Sequence, residues 1–433
     1  MSTQNVTKDS ENQNLTRRKF LTTGCLALSS AGIGLGAQRL LGEESPKPIT
    51  MPNIDPGYVG PQFFDEREEQ ALLEVLEARS PFRFWGYGKP TKVLRFEENF
   101  AKYMGTRFAL GVTSGTAALD CAVAGLGIGP GDEVISNPLT YIATAVYPLK
   151  YGASIRFADV DPRTLNVDED KIEPLITGKT KAIYISSYEG HVPDMDRIMN
   201  IAQRHGIYFV FDAARCVGGK FKGRDVGAIP HMTAFSFQEQ KNMSTGDGGM
   251  LTINHDTADE WMSKARSLRD VWGTGEFISE NFRMDEIRAA IGRAQVKKLD
   301  AMNDERRAIA HRLTEGLSQF EGICPVQEFP ERRHVFHWYM ARLDSKNLGI
   351  SHKDFVRVME EEEGIHMPGH NNPIYMTRPY EVRGYQPGLC PIAEELWREQ
   401  NFRLPLNLGM TDEEIDLIVS AVGRTIDRLI RGD

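Results

Sequence analysis

A chain of 433 residues is long enough for two domains of ordinary size, each with its own core. With 41% apolar and 26% charged residues and no low-complexity tract, it has a globular composition, and a formal net charge of −9 argues against nucleic acid or an anionic membrane as its main partner. Five scattered cysteines form no C-x-x-C pair, and the pairs His334/His337 and His366/His370 lack a third ligand in register, so neither a disulfide framework nor a metal site is expected.

The first forty residues stand apart. A polar start leads to Thr16-Arg-Arg-Lys-Phe-Leu21 and then to Thr22–Ala37, an uncharged run too rich in small and hydroxylic residues for a stable membrane span. Residues 1–37 resemble a twin-arginine export signal with a small-residue cleavage site near Leu35-Gly-Ala37. Cleavage there would remove four basic and two acidic residues, taking the net charge from −9 to −11. An exported, periplasmic or otherwise extracytoplasmic protein is expected, or a cytoplasmic one if the signal is not used. Residues 38–55 are polar and proline-bearing and read as a linker.

A helix is expected over Glu66–Arg79, from the apolar positions Leu72, Leu73, Val75 and Leu76. Ser80–Gly88 is an aromatic, glycine-punctuated loop, either core-closing or a lid, and Phe96–Met104 reads as an amphipathic helix. The apolar run from Phe108 then enters Ser114-Gly-Thr-Ala-Ala-Leu119, a strand passing straight into an alanine-rich helix. The N-terminus of that helix offers unpaired N–H groups to a phosphate, although Ser-Gly-Thr also suits a plain N-cap. Strands at 132–136, 154–158, 181–186 and 207–211 alternate with helices at 144–151 and 196–205 and a helical turn at 170–175. Short apolar strands separated by helices predict a parallel sheet covered on both faces, whose ligands bind beyond the carboxyl ends of the strands. Ser114, Tyr141, Asp212 and Ser236 all fall at such ends.

The stretch Ala234–Gly249 places Lys241 between Ser236 and the glycine-rich Gly246-Asp-Gly-Gly249. A lysine attacks a carbonyl only when unprotonated, so Schiff-base chemistry needs burial or nearby positive charge; the alternative is a surface lysine beside a hairpin turn. After a strand at Met250–Ile253, a long helical stretch is expected from Asn281 to about Leu317. The remainder mixes a strand at 338–343 with helices at 353–362 and 412–430, as in a smaller α+β domain.

From about Phe82 to Leu429 the chain resembles the DegT/DnrJ/StrS family of pyridoxal-phosphate-dependent sugar aminotransferases. The matches run in order through Ser114–Leu119, Gly127–Val134, Leu139–Thr144, Asp159–Pro162, Asp194–Asp196, Asp212–Ala214, Phe235–Phe237, Lys241, Gly246–Gly249, Asn281–Met284 and Leu404-Pro-Leu406. The resemblance implies the fold-type-I architecture: a large pyridoxal-phosphate-binding α/β domain with a mostly parallel central sheet (residues 56–305) and a small C-terminal α+β domain (306–433). It implies that Lys241 carries pyridoxal 5'-phosphate as a Schiff base and moves protons, and that Asp212 pairs with the ring nitrogen. Tyr141 would cover the ring, Ser114, Gly115, Thr116 and Ser236 would bind the phosphate, and Asn281 would reach it from the second subunit of a homodimer. The substrates implied are glutamate or glutamine as amino donor and a keto-sugar or keto-cyclitol as acceptor.

Two positions depart from the family pattern. Arg215 replaces the usual glutamine or histidine near the cofactor's O3′, where a guanidinium would favour the phenolate and lower the Schiff-base pKa, or bind a substrate carboxylate. Ser186-Ser-Tyr-Glu-Gly-His191 lacks the histidine and aromatic that relatives place ahead of the glycine on the substrate side. A sugar dehydratase is an alternative, but relatives of that kind replace the lysine with histidine. An exported, non-catalytic sugar-binding protein is another, against which stands the retention of Lys241, Asp212 and Ser236.

Overall fold

The computed structural model describes residues 63–82, 92–270, 278–369 and 371–432. The expected signal, the linker and most of the aromatic loop lie outside the described residues. Seven strands form the central sheet: β1 (Phe108–Val112), β2 (Glu133–Ser136), β3 (Ser154–Phe157), β4 (Thr180–Ser186), β5 (Tyr208–Asp212), β6 (Met232–Ser236) and β7 (Gly249–Ile253). They lie in the order β1-β7-β6-β5-β4-β2-β3. Neighbours from β6 to β3 are parallel, and β7 alone runs against both strands beside it.

Successive residues on a strand point to opposite faces, and here each face has its own core. Tyr184, Val210 and Leu251 enter one core, and Ile183, Ile185, Phe209, Phe211 and Met250 enter the other. A sheet buried on both sides needs apolar residues at nearly every position, which is why these strands lack clean alternation. Helices α1 (Glu66–Ala78), α2 (Lys92–Met104), α3 (Gly115–Leu126), α4 (Ala143–Lys150), α5 (Met195–His205) and α6 (Ala258–Arg269) precede, connect or follow the strands. Ala117, Ala118, Trp261 and Met262 bring α3 and α6 to the first core; Phe96, Phe100, Ile198 and Ile201 bring α2 and α5 to the second. Small side chains along α3 let it lie close on the sheet.

The expected helical stretch from Asn281 to Leu317 is corrected. Residues 281–284 are extended, with Asn281 bridged to Asp270 and Arg283 to Val112. Asp285 then caps the helix by accepting from the Arg288 N–H at 2.8 Å, so α7 runs Glu286–Gln295 and a separate α8 runs Leu299–Leu317. The break leaves Lys298 in a buried ion pair with Glu68 at 2.7 Å.

Leu299 and Met302 at the start of α8 belong to the second large core, whereas Ile309, Leu313 and Leu317 belong to a third. The expected division after residue 305 therefore falls inside a helix that two cores share. The third core is closed by the antiparallel sheet β8 (Ile323–Pro325), β9 (Tyr339–Leu343) and β10 (Asn401–Leu404) with α9 (His352–Glu361) and α10 (Asp412–Arg431). The segment 374–396 returns to the large sheet. Phe157 packs edge-on or tilted against Tyr375, Tyr380 and Tyr385 at 5.2, 5.6 and 5.9 Å between ring centres. Among the described residues, no helix is long and apolar enough to cross a membrane.

Candidate active site

The carboxyl ends of β4, β5 and β6, the start of α3 and the β6–β7 connection border a cavity of about 620 Å³. Parallel strands release their loops at one end, so side chains distant in sequence converge there. Eight of the nine expected residues line this cavity: Ser114, Gly115, Thr116, Tyr141, Asp212, Arg215, Ser236 and Lys241. Asn281 does not; it is exposed and outside the cavity of its own chain.

Lys241 sits in the connection between two antiparallel strands whose last and first residues, Ser236 and Gly249, are paired. The loop is drawn tight by the Phe237 N–H donating to Gly248 O at 2.8 Å and the Thr245 N–H donating to Phe237 O at 2.9 Å. Its neighbour Asn242 is buried and donates to Asn303 Oδ1 and Val335 O, both at 2.8 Å. Lys241 is thus held on a fixed backbone while its own side chain reaches the cavity. Burial pushes its amine down to about 8, helped by Arg215 and resisted by Glu189 and Asp212. At that value about a tenth of the amine is neutral at pH 7, against a negligible fraction for an ordinary lysine. Lys241 is half-buried and lines the cavity, unlike a lysine on an open surface.

Asp212 ends β5 and is buried. The Thr144 hydroxyl donates to its Oδ2 at 2.7 Å and the Ala214 N–H to its Oδ1 at 3.0 Å. Thr140 extends the chain, its hydroxyl 2.6 Å from that of Thr144. Burial raises the Asp212 pKa, opposed first by the Thr144 hydrogen bond.

At the other side of the site Ser114 caps α3, its Oγ accepting from the Ala117 N–H at 3.1 Å. Its side chain is therefore an N-cap, and the anion-accepting groups here are the first-turn N–H groups, which have no preceding carbonyl to bond. Gly115 is required by packing: a Cβ there would lie 2.7 Å from the Cβ of Ser236. Ser236 Oγ and the helix N-terminus accordingly form one cradle. Tyr141 is 56% exposed and stands at the rim.

These groups fit pyridoxal phosphate. The cradle at α3 suits its phosphate, the buried acceptor Asp212 suits a ring N–H, and the amine of Lys241 suits its aldehyde. A mostly parallel sheet with a site of this kind at its strand ends is the architecture of a fold-type-I pyridoxal-phosphate aminotransferase. The sequence matches the DegT/DnrJ/EryC1/StrS aminotransferase family over residues 64–423. It is similar to the spore coat polysaccharide biosynthesis protein SpsC of Bacillus subtilis, 36% identical over 372 residues that span 82% of this chain and 94% of that protein. It is 35% identical over 343 residues to UDP-N-acetyl-3-dehydro-alpha-D-glucosamine 3-aminotransferase of Acidithiobacillus ferrooxidans, spanning 76% and 87% of the two chains. Among solved structures, the aminotransferase from Psychrobacter cryohalolentis superposes with a TM-score of 0.78 at 28% identity, over 86% of this chain and 99% of that one. The chain belongs to the DegT/DnrJ/EryC1/StrS family and is a pyridoxal-phosphate-dependent aminotransferase.

Several lining residues were not singled out from sequence. Thr144 lay within a family motif but carried no assigned role. His337 and Trp338 lie just before β9 and Arg403 lies in β10, and they join the site only because the small sheet folds over the large one. Burial, with Lys241 next, keeps His337 well below the ordinary histidine pKa and therefore neutral. Glu189, in the departing segment after β4, is fully buried and holds both Arg215 and Arg403. Its sequence signal was its place in Ser186–His191, the stretch that departs from the family pattern.

Proposed function

We propose that the enzyme moves an amino group from glutamate or glutamine to a keto-sugar or keto-cyclitol in two half-reactions that share Lys241. The observation that carries this reading is the depressed Lys241 amine in the same cavity as the buried Asp212. The keto-sugar acceptor is supported by the similarity to an enzyme named for a 3-dehydro-glucosamine substrate.

Bound pyridoxal phosphate supplies an electron sink for the carbon that loses its proton. Lys241 would hold the cofactor through its Nζ, and once freed the same amine would be the base that takes the proton from the donor's α-carbon and later returns it. In the second half-reaction the same amine runs these transfers in reverse on the acceptor. Asp212 would accept a hydrogen bond from the cofactor's ring N–H and so favour a protonated ring, with Thr144 orienting the carboxylate. The first-turn N–H groups of α3 and the Ser236 hydroxyl would bind the phosphate. Mixing cofactor-loaded protein with L-glutamate should convert the absorbance of the lysine-bound cofactor to that of its aminated form. Lys241→Ala should abolish the conversion, and full turnover in that variant would remove the assignment.

The protein is further proposed to act as a homodimer, with Asn281 completing the phosphate site of the partner; its exposure outside its own cavity supports this. Residues 1–37 are proposed to direct export through Arg17-Arg18. N-terminal sequencing of the mature protein tests this: a start near residue 38 that is lost on Arg17→Lys with Arg18→Lys supports export, and an intact N-terminus in both counts against it.

A further inference from the structure

Two arginines from distant parts of the chain meet on one carboxylate oxygen in the cavity wall. Arg215 Nη1 donates to Glu189 Oε1 at 2.5 Å, and Arg403 Nη2 donates to the same atom. Arg403 also donates to Gly369 O at 2.6 Å, and its guanidinium carbon lies 5.4 Å from the centre of the Trp338 ring. Arg403 is only 7% exposed. Burial pushes the Glu189 carboxyl upward, but Arg215 and Arg403 more than offset it, so the glutamate is ionised. Two guanidinium charges against one carboxylate leave this wall with one surplus positive charge.

The cluster is built rather than incidental. Glu189 adopts φ 48°, a left-handed conformation that costs a non-glycine residue energy and persists only where its surroundings enforce it. Its carbonyl accepts from the His337 N–H at 2.9 Å, and Gly190 O accepts from the Val335 N–H at 3.1 Å. A Cβ at Gly190 would lie 3.0 Å from both Arg215 O and His337 N, so only glycine fits. Among the described residues, Glu189 Oε2 and Arg403 Nε have no hydrogen-bond partner, a demand that buried polar groups normally meet with water or ligand.

We propose that Arg215 and Arg403 form a carboxylate-binding subsite of this enzyme, whose strength Glu189 sets by occupying part of it. The planar fork of arginine matches two carboxylate oxygens, and Glu189 already displays the geometry in which both arginines grip one. The cofactor's phosphate has its own cradle at α3, so this charge is free to serve a substrate. The subsite rests on the aminotransferase reading and narrows it: a substrate presents a carboxylate beside Trp338. That group is either the α-carboxylate of the amino donor or a carboxylate on the acceptor, as in a keto-uronate.

Calorimetric titration of the cofactor-loaded protein with 2-oxoglutarate, glucuronate and neutral glucose tests this without turnover. One or both carboxylates should bind at least about tenfold more tightly than glucose, and Arg403→Gln should erase that preference. Arg403→Lys, which keeps the charge in a folded wall, should recover it only in part, and Glu189→Gln should strengthen it. Loss confined to 2-oxoglutarate assigns the subsite to the donor, and loss confined to glucuronate assigns it to the acceptor. Affinities that do not distinguish carboxylates from glucose, or that are unmoved by all three substitutions, overturn the proposal. Carboxylate binding with the expected mutational pattern, but no spectral change with L-glutamate, would uphold the subsite and instead refute glutamate as the amino donor.

Discussion

The hydroxyl of Thr144 donates to Oδ2 of Asp212 at 2.7 Å, joining the first turn of α4 to the last residue of β5. This bond opposes the burial that raises the Asp212 pKa, so it favours the ionised carboxylate that a protonated ring nitrogen needs. Asp212→Asn should lower kcat by about 10²- to 10³-fold, because a neutral amide cannot keep that nitrogen charged. Thr144→Val should cost about 1 kcal/mol in stability and a smaller part of kcat. Losing the hydroxyl lets the Asp212 pKa rise further, so the acid limb of the kcat profile should move to higher pH. A Thr144→Val profile that superposes on the native one would show that the bond is only structural.

Arg215 is the cation that, after burial, most lowers the amine of Lys241, and Glu189 opposes it. Removing a neighbouring positive charge favours the protonated amine, so Arg215→Gln should raise the Lys241 pKa from about 8. Glu189→Gln removes a negative charge and should lower it. The pH dependence of covalent cofactor loading onto cofactor-free protein reads this amine directly. The half-maximal pH should rank Glu189→Gln, native, Arg215→Gln in ascending order; one common value would refute the coupling.

Much of this site could be read before its geometry was known. Asp212, Ser236 and Lys241 lie in local motifs at strand ends, and strand ends follow from short apolar runs. Arg215 stands out in the sequence as a departure, but its meaning depends on Glu189 and on Arg403, which is 214 positions from that glutamate. No local pattern encodes such a pairing; it exists because the small sheet closes over the large one. The misplaced helix start has a similar origin. Apolar spacing continues through 281–291, yet bridges to Asp270 and Val112 keep residues 281–284 extended until Asp285 caps the helix. The reversed direction of β7 was equally invisible, since an apolar pentapeptide reads alike in either sense.

Gly115 tests whether the cradle is as tight as its packing indicates. Alanine at this position would bring its Cβ to 2.7 Å from that of Ser236, at the point where α3 meets β6. Gly115→Ala should destabilise the fold by about 1–3 kcal/mol through overpacking, and weaken cofactor binding at least about tenfold by displacing Ser236. Gly127→Ala is the control, because its Cβ would meet nothing within 4 Å although its φ of +62° is strained. Denaturant melts and cofactor titrations of both variants separate the effects: overpacking at Gly115 and backbone strain at Gly127 each lower stability, whereas loss of cofactor affinity should be confined to Gly115→Ala.

The proposed dimer makes a prediction that a monomer cannot satisfy. Lys241 lines the cavity of its own chain, whereas Asn281 is exposed and outside it. If Asn281 serves the partner's phosphate, Lys241→Ala homodimers have two dead sites, and Asn281→Ala homodimers have two with weakened cofactor affinity. Mixing the two variants places one native Lys241 opposite one native Asn281 in each heterodimer, and so rebuilds one complete site of two. Co-expressed and assayed at a cofactor concentration that saturates only the native protein, the mixture should exceed the sum of its parents and approach half of native activity per heterodimer. Activity no greater than that of the parents, with heterodimers verified by differential tags, would show that Asn281 does not act across the interface.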